Sequence, residues 1–342
     1  MPKTTPLVKA RGFSIVELLV AMTIGLFLVG GAIQILTQGK HAYNLISETL
    51  NIQESARFAS RRIGNLLRMA GHRGGVLMTQ VDHNFSSLTG DGVCESKWLV
   101  DNFADEPVRA YENGTGIVDT GQCATQGITD VNHVDNTDVL VVRHSEAKHE
   151  SNPGNTDNQN RIFVYTIVSL GAKIGLGSDI ATDWSTFSGQ PEKVYGRFVY
   201  PYYTDVYFVR PWTRNASETP AIPALVRQRM DGSSVETEVM VSGIELLKVE
   251  LGVDSNDDSQ VDKYLAPSAV TSSEWSDVML ARVAIVARSM SRDQIEDTNT
   301  YILLPGENEY SYTPSTSVTH FSRMLFEVSI NLRNTVPIRT AG

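Results

Sequence analysis

A run of 22 uncharged, mostly apolar residues near the N-terminus, from Leu18 to Gly39, constrains this chain more than any other feature. As an α-helix it is long enough to cross a hydrocarbon layer of about 30 Å. The preceding Lys3, Lys9 and Arg11 predict that the N-terminus stays cytoplasmic and that later residues lie outside. The run is too long for a cleaved signal peptide, and no small-residue cleavage site follows it. A plain signal anchor leaves Glu17 unexplained, because a carboxylate is costly at the edge of lipid.

The residues around Glu17 resemble a processing site. Gly12-Phe13-Ser14-Ile15-Val16-Glu17 follows the pattern of type IV prepilins and pseudopilins: a basic leader ending in Gly, then Phe or Met, then Glu four positions later. The resemblance implies cleavage of the 1–12 leader after Gly12 by a prepilin peptidase, and N-methylation of Phe13. The new ammonium on Phe13 lies one helical turn from Glu17, so the two charges are expected to pair within a subunit or between neighbours.

The helical pattern continues beyond the apolar run. Apolar residues recur at three- and four-residue spacings without an intervening proline, until Gly71 and the pair Gly74–Gly75 provide natural stops. We therefore predict one continuous helix from Phe13 to about Ala70. Its first part, 13–39, is the transmembrane and assembly segment, and 40–74 is its amphipathic continuation.

From residue 75 onward, turns alternate with short strand-like runs. These runs lie at 138–144, 161–168, 194–212, 235–253, 279–290 and 324–334. ARVAIVARS (281–289) alternates apolar with polar residues, as half-buried antiparallel strands do, whereas SGIELLKVEL (242–251) is ambiguous and can begin as a helical turn. The predicted fold class is α+β: a long N-terminal helix packed on an antiparallel β-rich head over 75–342, the lollipop form of pilins.

Five stretches extend the resemblance beyond the leader. They are QESARFASRRIGNLLRMAGHRGG, TDVLVVRH, GIELLKVELGVDSNDDSQVDKY, ARVAIVARS and FSRMLFEVSINLRN. In this order they are together similar to the PilW family of type IV pilus minor pilins. The resemblance implies a structural protein that primes pilus assembly and sits in the tip complex, supporting twitching motility, adhesion and DNA uptake. It also implies an inner-membrane protein that reaches the pilus tip, with other minor pilins, the major pilin, the prepilin peptidase and a tip adhesin as partners.

The two cysteines, Cys94 and Cys123, are expected to form one disulfide if the head is exported. This expectation rests on their number and on the compartment; two unrelated buried thiols are the alternative. Members of the resembled family often have Cys where this chain has Gly75 and Ala224, so the family's disulfide pattern does not transfer.

An acidic loop, GVDSNDDSQVDKY, spaces oxygen-bearing residues like the first part of an EF-hand calcium loop. Its candidate ligands at relative positions 1, 3, 5, 7 and 9 are Asp254, Asn256, Asp258, Gln260 (through its carbonyl) and Asp262. Ser259 replaces the usual Gly and Leu265 replaces the closing Glu, so the loop is not an EF-hand. A shorter Ca²⁺ loop is one interpretation, and a solvated acidic turn is the other.

Other function classes have less support. The net charge of -10 argues against direct nucleic-acid binding. No nucleophile elbow, zinc-protease motif or phosphate-binding loop is present, and His144 is interpreted as a surface residue, so no enzyme activity is predicted. A GspJ-like pseudopilin of type II secretion and a signal-anchored periplasmic enzyme remain the alternatives.

Overall fold

The computed structural model describes residues 12, 14–76, 81–82, 88, 92–101, 103, 106–150, 155–167, 171–183, 196–293 and 296–334. The chain divides into two compact units, Met1–Leu50 and Asn51–Gly342, and their boundary falls within the first helix. The first unit contains the apolar half of that helix. The second unit contains its remaining turns and all of the β-structure described.

Helix α1 extends from Ile15 to Met69, close to the ends predicted from the sequence. It begins after Ser14, whose side-chain oxygen accepts a hydrogen bond of 3.3 Å from the backbone N–H of Val16. It ends before Gly71, which has a φ of +69° and donates its N–H to the Arg143 carbonyl at 2.8 Å. The predicted long N-terminal helix is thus confirmed.

Eight strands form the larger sheet of the described structure. They are β1 (Val81–Asp82), β2 (Val108–Tyr111), β3 (Val139–Ser145), β4 (Ile162–Ile167), β5 (Gly171–Leu176), β6 (Arg197–Arg210), β7 (Ala224–Met230) and β8 (Val235–Ser242). Their order is β1-β5-β4-β6-β3-β2, with β7 also paired to β6 and β8 to β7. Only the short pairing of β1 with β5 is parallel among them; the others are antiparallel.

A second sheet and a hairpin follow along the chain. The second sheet has the order β10-β9-β11-β14, and the strands β12 and β13 pair with each other. The bounds are β9 (Ile244–Val253), β10 (Lys263–Leu265), β11 (Val278–Arg288), β12 (Tyr301–Leu303), β13 (Tyr310–Tyr312) and β14 (Arg323–Asn331). The described structure also contains two short α-helices, α2 (Trp98–Asp101) and α3 (Gly177–Asp183), and several 3-10 turns. The ambiguous segment 242–251 is therefore the end of β8 and most of β9, joined at Gly243 with a φ of +81°.

The main core lies between the second half of α1 and the strands of both sheets. The helix contributes small and branched side chains at helical spacing, each at most 3% exposed: Ile52, Ala56, Ala59, Ile63 and Leu67. Gly64 lies on the same side, where an added Cβ would be 3.6 Å from Ile330 of β14. The small residues allow the helix to approach the sheet closely, which confirms the predicted packing of the amphipathic segment on an antiparallel head.

Strand β11 differs from the half-buried strand predicted for 281–289. Val283 and Ile285 face the main core, but Ala284 and Val286 also lie in a smaller apolar cluster. That cluster includes Leu303 of β12, so the hairpin β12–β13 covers the face that the alternation assigned to solvent. The alternation wrongly predicted one solvent-exposed face, because β11 has small and apolar residues on both faces and the strand that covers it comes later in the chain.

The two sheets are joined by a buried ion pair. The Nζ of Lys248 on β9 is 2.9 Å from Oδ1 of Asp138, which lies directly before β3. The other carboxylate oxygen, Oδ2, accepts the backbone N–H of Val249 at 2.9 Å, and the N–H of Asp138 donates to the Leu247 carbonyl at 2.8 Å. Because the charges are paired and the remaining lone pairs are hydrogen-bonded, the pair can be buried between the sheets.

Candidate functional site

The predicted processing site lies directly before α1. Gly12 is exposed, and a Cβ added to it would meet no atom within 4 Å. Phe13, the predicted new N-terminus, lies outside the described residues. None of the residues that the structure describes therefore shields Gly12 from a peptidase.

Glu17 is exposed in the first turn of α1. At this end of a helix the unpaired backbone N–H groups carry a partial positive charge, which favours a carboxylate. Glu17 follows position 13 by four residues, the spacing of one helical turn, and cleavage would create an ammonium group at position 13. The pairing of these two charges stays a prediction, because Phe13 is not among the described residues.

The first half of α1 exposes a continuous apolar surface. Its large side chains that are at least half exposed include Ile15, Leu19, Met22, Leu26, Phe27, Leu28, Ile35 and Leu36. By length and composition the helix is apolar enough to cross a membrane, and none of its most apolar window is buried within the chain. A continuous apolar surface of this kind is expected to be covered by lipid or by other apolar helices.

Cys94 and Cys123 form the predicted disulfide, with sulfur atoms 2.08 Å apart. Both residues are buried in a second core, on the face of the larger sheet opposite α1, together with Trp98, Phe103 and Ile128. The carbonyl of Cys94 also accepts a hydrogen bond of 3.3 Å from the side chain of Gln126. The disulfide therefore links the segment that contains α2 to the turn around residue 123.

The acidic loop connects β9 to β10, and its carboxylates bind the loop's own backbone. Asp262 Oδ2 accepts hydrogen bonds from the N–H and the hydroxyl of Ser255, both at 2.8 Å. Asp254 accepts the N–H of Ser259 at 2.8 Å, and Asp258 accepts the N–H of Gln260 at 2.8 Å. The hydrogen bonds from Ser255 lower the pKa of Asp262. The loop is therefore ordered by the side chains of Asp254, Asp258 and Asp262, which are spaced four residues apart.

The donor chemistry of this loop suits Ca²⁺, but the geometry does not gather a metal site. In the part of the chain that the structure describes, no group of three or more His, Cys, Asp or Glu side chains is arranged to hold a metal. Asn256 donates its amide to Asp262 Oδ1 at 3.1 Å, so it serves as a donor as well as a potential ligand. Calcium binding through Asp254, Asn256, Asp258, Gln260 and Asp262 stays a prediction.

A buried charge cluster was missed by the sequence interpretation. His144 is only 3% exposed, so its assignment to the surface was wrong. Its Nε2 is 3.1 Å from Oδ2 of Asp205, and its Nδ1 is 3.4 Å from the carbonyl of Ser145. Both ring nitrogens therefore face oxygen atoms of the head itself. The only local signal was a charged residue, Asp205, within the apolar run of β6.

The same carboxylate is held by Arg229 of β7. The guanidinium donates from Nε to Oδ1 at 2.8 Å and from Nη2 to Oδ2 at 2.9 Å. Burial alone would raise the pKa of Asp205, but the hydrogen bonds from Arg229 and His144 lower it to about 2. The cluster holds a paired charge inside the sheet, which is a structural role.

An exposed apolar helix, a carboxylate in its first turn and a β-rich head fit the class of type IV pilin-like proteins. Residues 7–33 match the prokaryotic N-terminal methylation motif. Residues 206–334 match the PilW family, described as type IV pilus-assembly protein W. These matches confirm the resemblance seen in the sequence: the chain carries a methylation motif and, in its head, a PilW region that includes the whole second sheet and the acidic loop.

Comparisons with individual proteins add less. No curated protein matches the chain. Among solved structures, a type IV-like pilin from Thermus thermophilus is similar at 12% sequence identity, with a TM-score of 0.25, over 58% of this chain and 80% of that one. The methylation motif and the apolar helix indicate a membrane-anchored pilus component, and the PilW match points to a structural protein rather than an enzyme.

Proposed function

We propose that this chain is a structural minor pilin of a type IV pilus, which primes assembly and sits in the tip complex with other minor pilins. One observation carries the proposal: a methylation motif and a PilW region occur in the same chain, at 7–33 and 206–334. The proposed role has no catalytic step. Its effects on twitching motility, adhesion and DNA uptake follow from the presence or absence of pili.

The N-terminal residues would act in two stages. Before cleavage, the apolar half of α1 holds the protein in the inner membrane with the head outside. Cleavage after Gly12 then creates an ammonium on Phe13 that can pair with Glu17 of its own or a neighbouring subunit. An unpaired charge among apolar helices costs roughly several kcal/mol. Pairing of Glu17 with the Phe13 ammonium therefore favours one axial register between subunits. The anchor thereby becomes an assembly interface.

The head would supply the partner contacts. Its two sheets and the second half of α1 share one core, so the surface that it offers is held on a rigid scaffold. We expect this surface to contact other minor pilins, the major pilin and a tip adhesin. Calcium binding by the acidic loop is a separate proposal on which the assembly role does not depend.

Cleavage and assembly can be tested with two substitutions in the full-length chain, expressed in cells that make pili. Gly12→Leu should leave an uncut, unmethylated precursor that is absent from sheared pili. Glu17→Ala should be cut normally but recovered in pili at a reduced level, because the new ammonium loses its partner. Gly39→Leu is the control for cleavage, since a Cβ at that glycine also meets no atom within 4 Å.

The outcomes separate the alternatives. Mass spectrometry that finds a mature N-terminus other than methylated Phe13, or pili that never contain the wild-type protein, would contradict the proposal. A pseudopilin of type II secretion predicts that loss of the chain blocks protein secretion and leaves pili intact. An anchored enzyme predicts that Glu17→Ala has no consequence.

A further inference from the structure

The second half of α1 presents two opposite faces. One is buried in the main core, and the other is exposed. The exposed side chains recur at three- and four-residue spacings: Glu54, Arg57, Phe58, Arg61, Arg62, Asn65 and Arg68. We call this surface the arginine face. Because the helix buries its opposite side, the arginine face points away from its own core.

The arginine face is strongly basic for a chain with a net charge of -10. It carries four arginines and one glutamate over about four helical turns. Arg57 and Arg61 are four residues apart, a spacing at which like charges destabilise a helix by a few tenths of a kcal/mol, roughly. A concentration of positive charge on an acidic chain therefore carries a small cost within the monomer.

The arginines of this face lack carboxylate partners among the described residues. Within the described ranges, no ion pair includes Arg57, Arg61, Arg62 or Arg68. Arg68 instead donates to the side chain of Asn65 at 3.3 Å. By contrast, Arg229, Arg282 and Arg323 on the sheets each bind a carboxylate. Among the described residues, Arg57 and Arg61 thus have no carboxylate partner, and their guanidinium groups can bind carboxylates from another molecule.

The composition of this face also matches protein interfaces. Phe58 is 52% exposed between the arginines, so a large apolar ring stands in the middle of a basic surface. Arginine and aromatic residues are enriched at the centres of protein–protein interfaces, whereas lysine is depleted there. All four cations of the face are arginines, and the planar guanidinium can bind a carboxylate through two hydrogen bonds.

We propose that the arginine face binds an acidic surface of a neighbouring pilin subunit, with Phe58 packed at the centre of the contact. The inference rests on the proposed assembly function and names the chemistry of one partner surface. Nucleic acid fits less well, because the net negative charge of the chain repels a polyanion and the basic surface is short. The face is therefore expected to set which subunit docks beside this one.

The test uses full-length protein in piliated cells, with a photo-crosslinking amino acid in place of the exposed Asn65. A crosslink should form to a pilin subunit, at an acidic segment identified by mass spectrometry. Arg57→Glu with Arg61→Glu should reduce this crosslink by about tenfold or more, because like charges then face each other. Arg214→Glu with Arg292→Glu, which reverses two exposed arginines elsewhere on the head, should leave it unchanged.

A charge swap tests whether a folding defect, rather than lost charge pairing, reduces the crosslink of the Arg57→Glu/Arg61→Glu variant. Reversing acidic residues in the crosslinked segment of the partner to arginine should restore the crosslink of the Arg57→Glu/Arg61→Glu variant. No crosslink to a pilin, equal crosslinking by both double variants, or failure of the swap would each overturn the inference. So would DNA or anionic vesicles that bind the wild type and not the Arg57→Glu/Arg61→Glu variant.

The proposed function is measured separately in the same strains. Methylated Phe13 and recovery of the wild-type protein in sheared pili test that function. If both are found and the Arg57→Glu/Arg61→Glu variant still crosslinks normally, the inference about the arginine face fails alone. If neither is found, the assembly function itself fails.

Discussion

At the scale of single residues, Asp205 keeps a negative charge inside the head because Arg229 and His144 hydrogen-bond to its carboxylate. Its pKa of about 2 lies below the usual 3.8. A carboxyl group with a lowered folded-state pKa stabilises the protein above its unfolded pKa, and this contribution disappears as pH falls through the folded value. Asp205 therefore links the stability of the head to pH between about 4 and 2.

We predict that Asp205→Asn removes this dependence. Above about pH 5, the difference in free energy of unfolding between wild type and variant should be constant. As the pH falls to 2, this difference should shrink by about 2 kcal/mol. Chemical denaturation of the full chain in detergent micelles measures it. Exposed Glu236→Gln is the control and should track the wild type. A difference for Asp205→Asn that is flat with pH would refute the pairing.

The acidic loop gives a second residue-scale prediction. If Asp254, Asp258 and Asp262 bind Ca²⁺, a concentration ten times Kd should stabilise the head by about 1.4 kcal/mol, because only the folded loop binds. The rise in melting temperature at millimolar Ca²⁺ should disappear in Asp262→Asn and persist in Glu236→Gln. No rise in the wild type, or the same rise with Mg²⁺, would leave the loop as a solvated turn.

At the scale of elements, the C-terminal end and the buried face of α1 were predictable because they are encoded locally, whereas its start was placed at Phe13 from the cleavage motif. Ser14 and Gly71 cap it, and its apolar spacing marks the buried face. The burial of β11 was not predictable in the same way, because Leu303 covers it from a hairpin later in the chain. Local sequence specifies which residues form a strand, whereas long-range contacts decide how many of its faces are buried.

The tight approach of α1 to the sheets gives an element-scale prediction. Ala59 has no exposed surface, so Ala59→Leu forces a larger side chain into a filled core and should destabilise the head by about 1–3 kcal/mol. Asn65→Leu adds a similar side chain on the exposed face and should change stability by less than about 0.5 kcal/mol. Equal melting temperatures for both variants would mean that the helix does not pack as described.

At the scale of the whole molecule, the two sheets are joined by a contact that no local sequence pattern predicts. Asp138, directly before β3 of the larger sheet, and Lys248, on β9 of the second sheet, are 110 residues apart. The only signal in the sequence is a lysine in the middle of an apolar strand, ELLKVEL. A buried charge in such a place needs a partner, but the sequence does not say which carboxylate supplies it.

This contact predicts how the sheets are coupled. Lys248→Met should destabilise the head by about 3 kcal/mol, because it leaves the Asp138 carboxylate buried without its cation. Adding Asp138→Asn should recover part of the loss, since the second substitution removes the stranded charge. Lys263→Met, which removes a partly exposed cation paired with Glu274, is the matched control and should destabilise the head by at most about 1 kcal/mol. Additive effects of Asp138→Asn and Lys248→Met in denaturant unfolding would show that the two side chains do not act as a pair, and the sheets would then be held together by apolar packing alone.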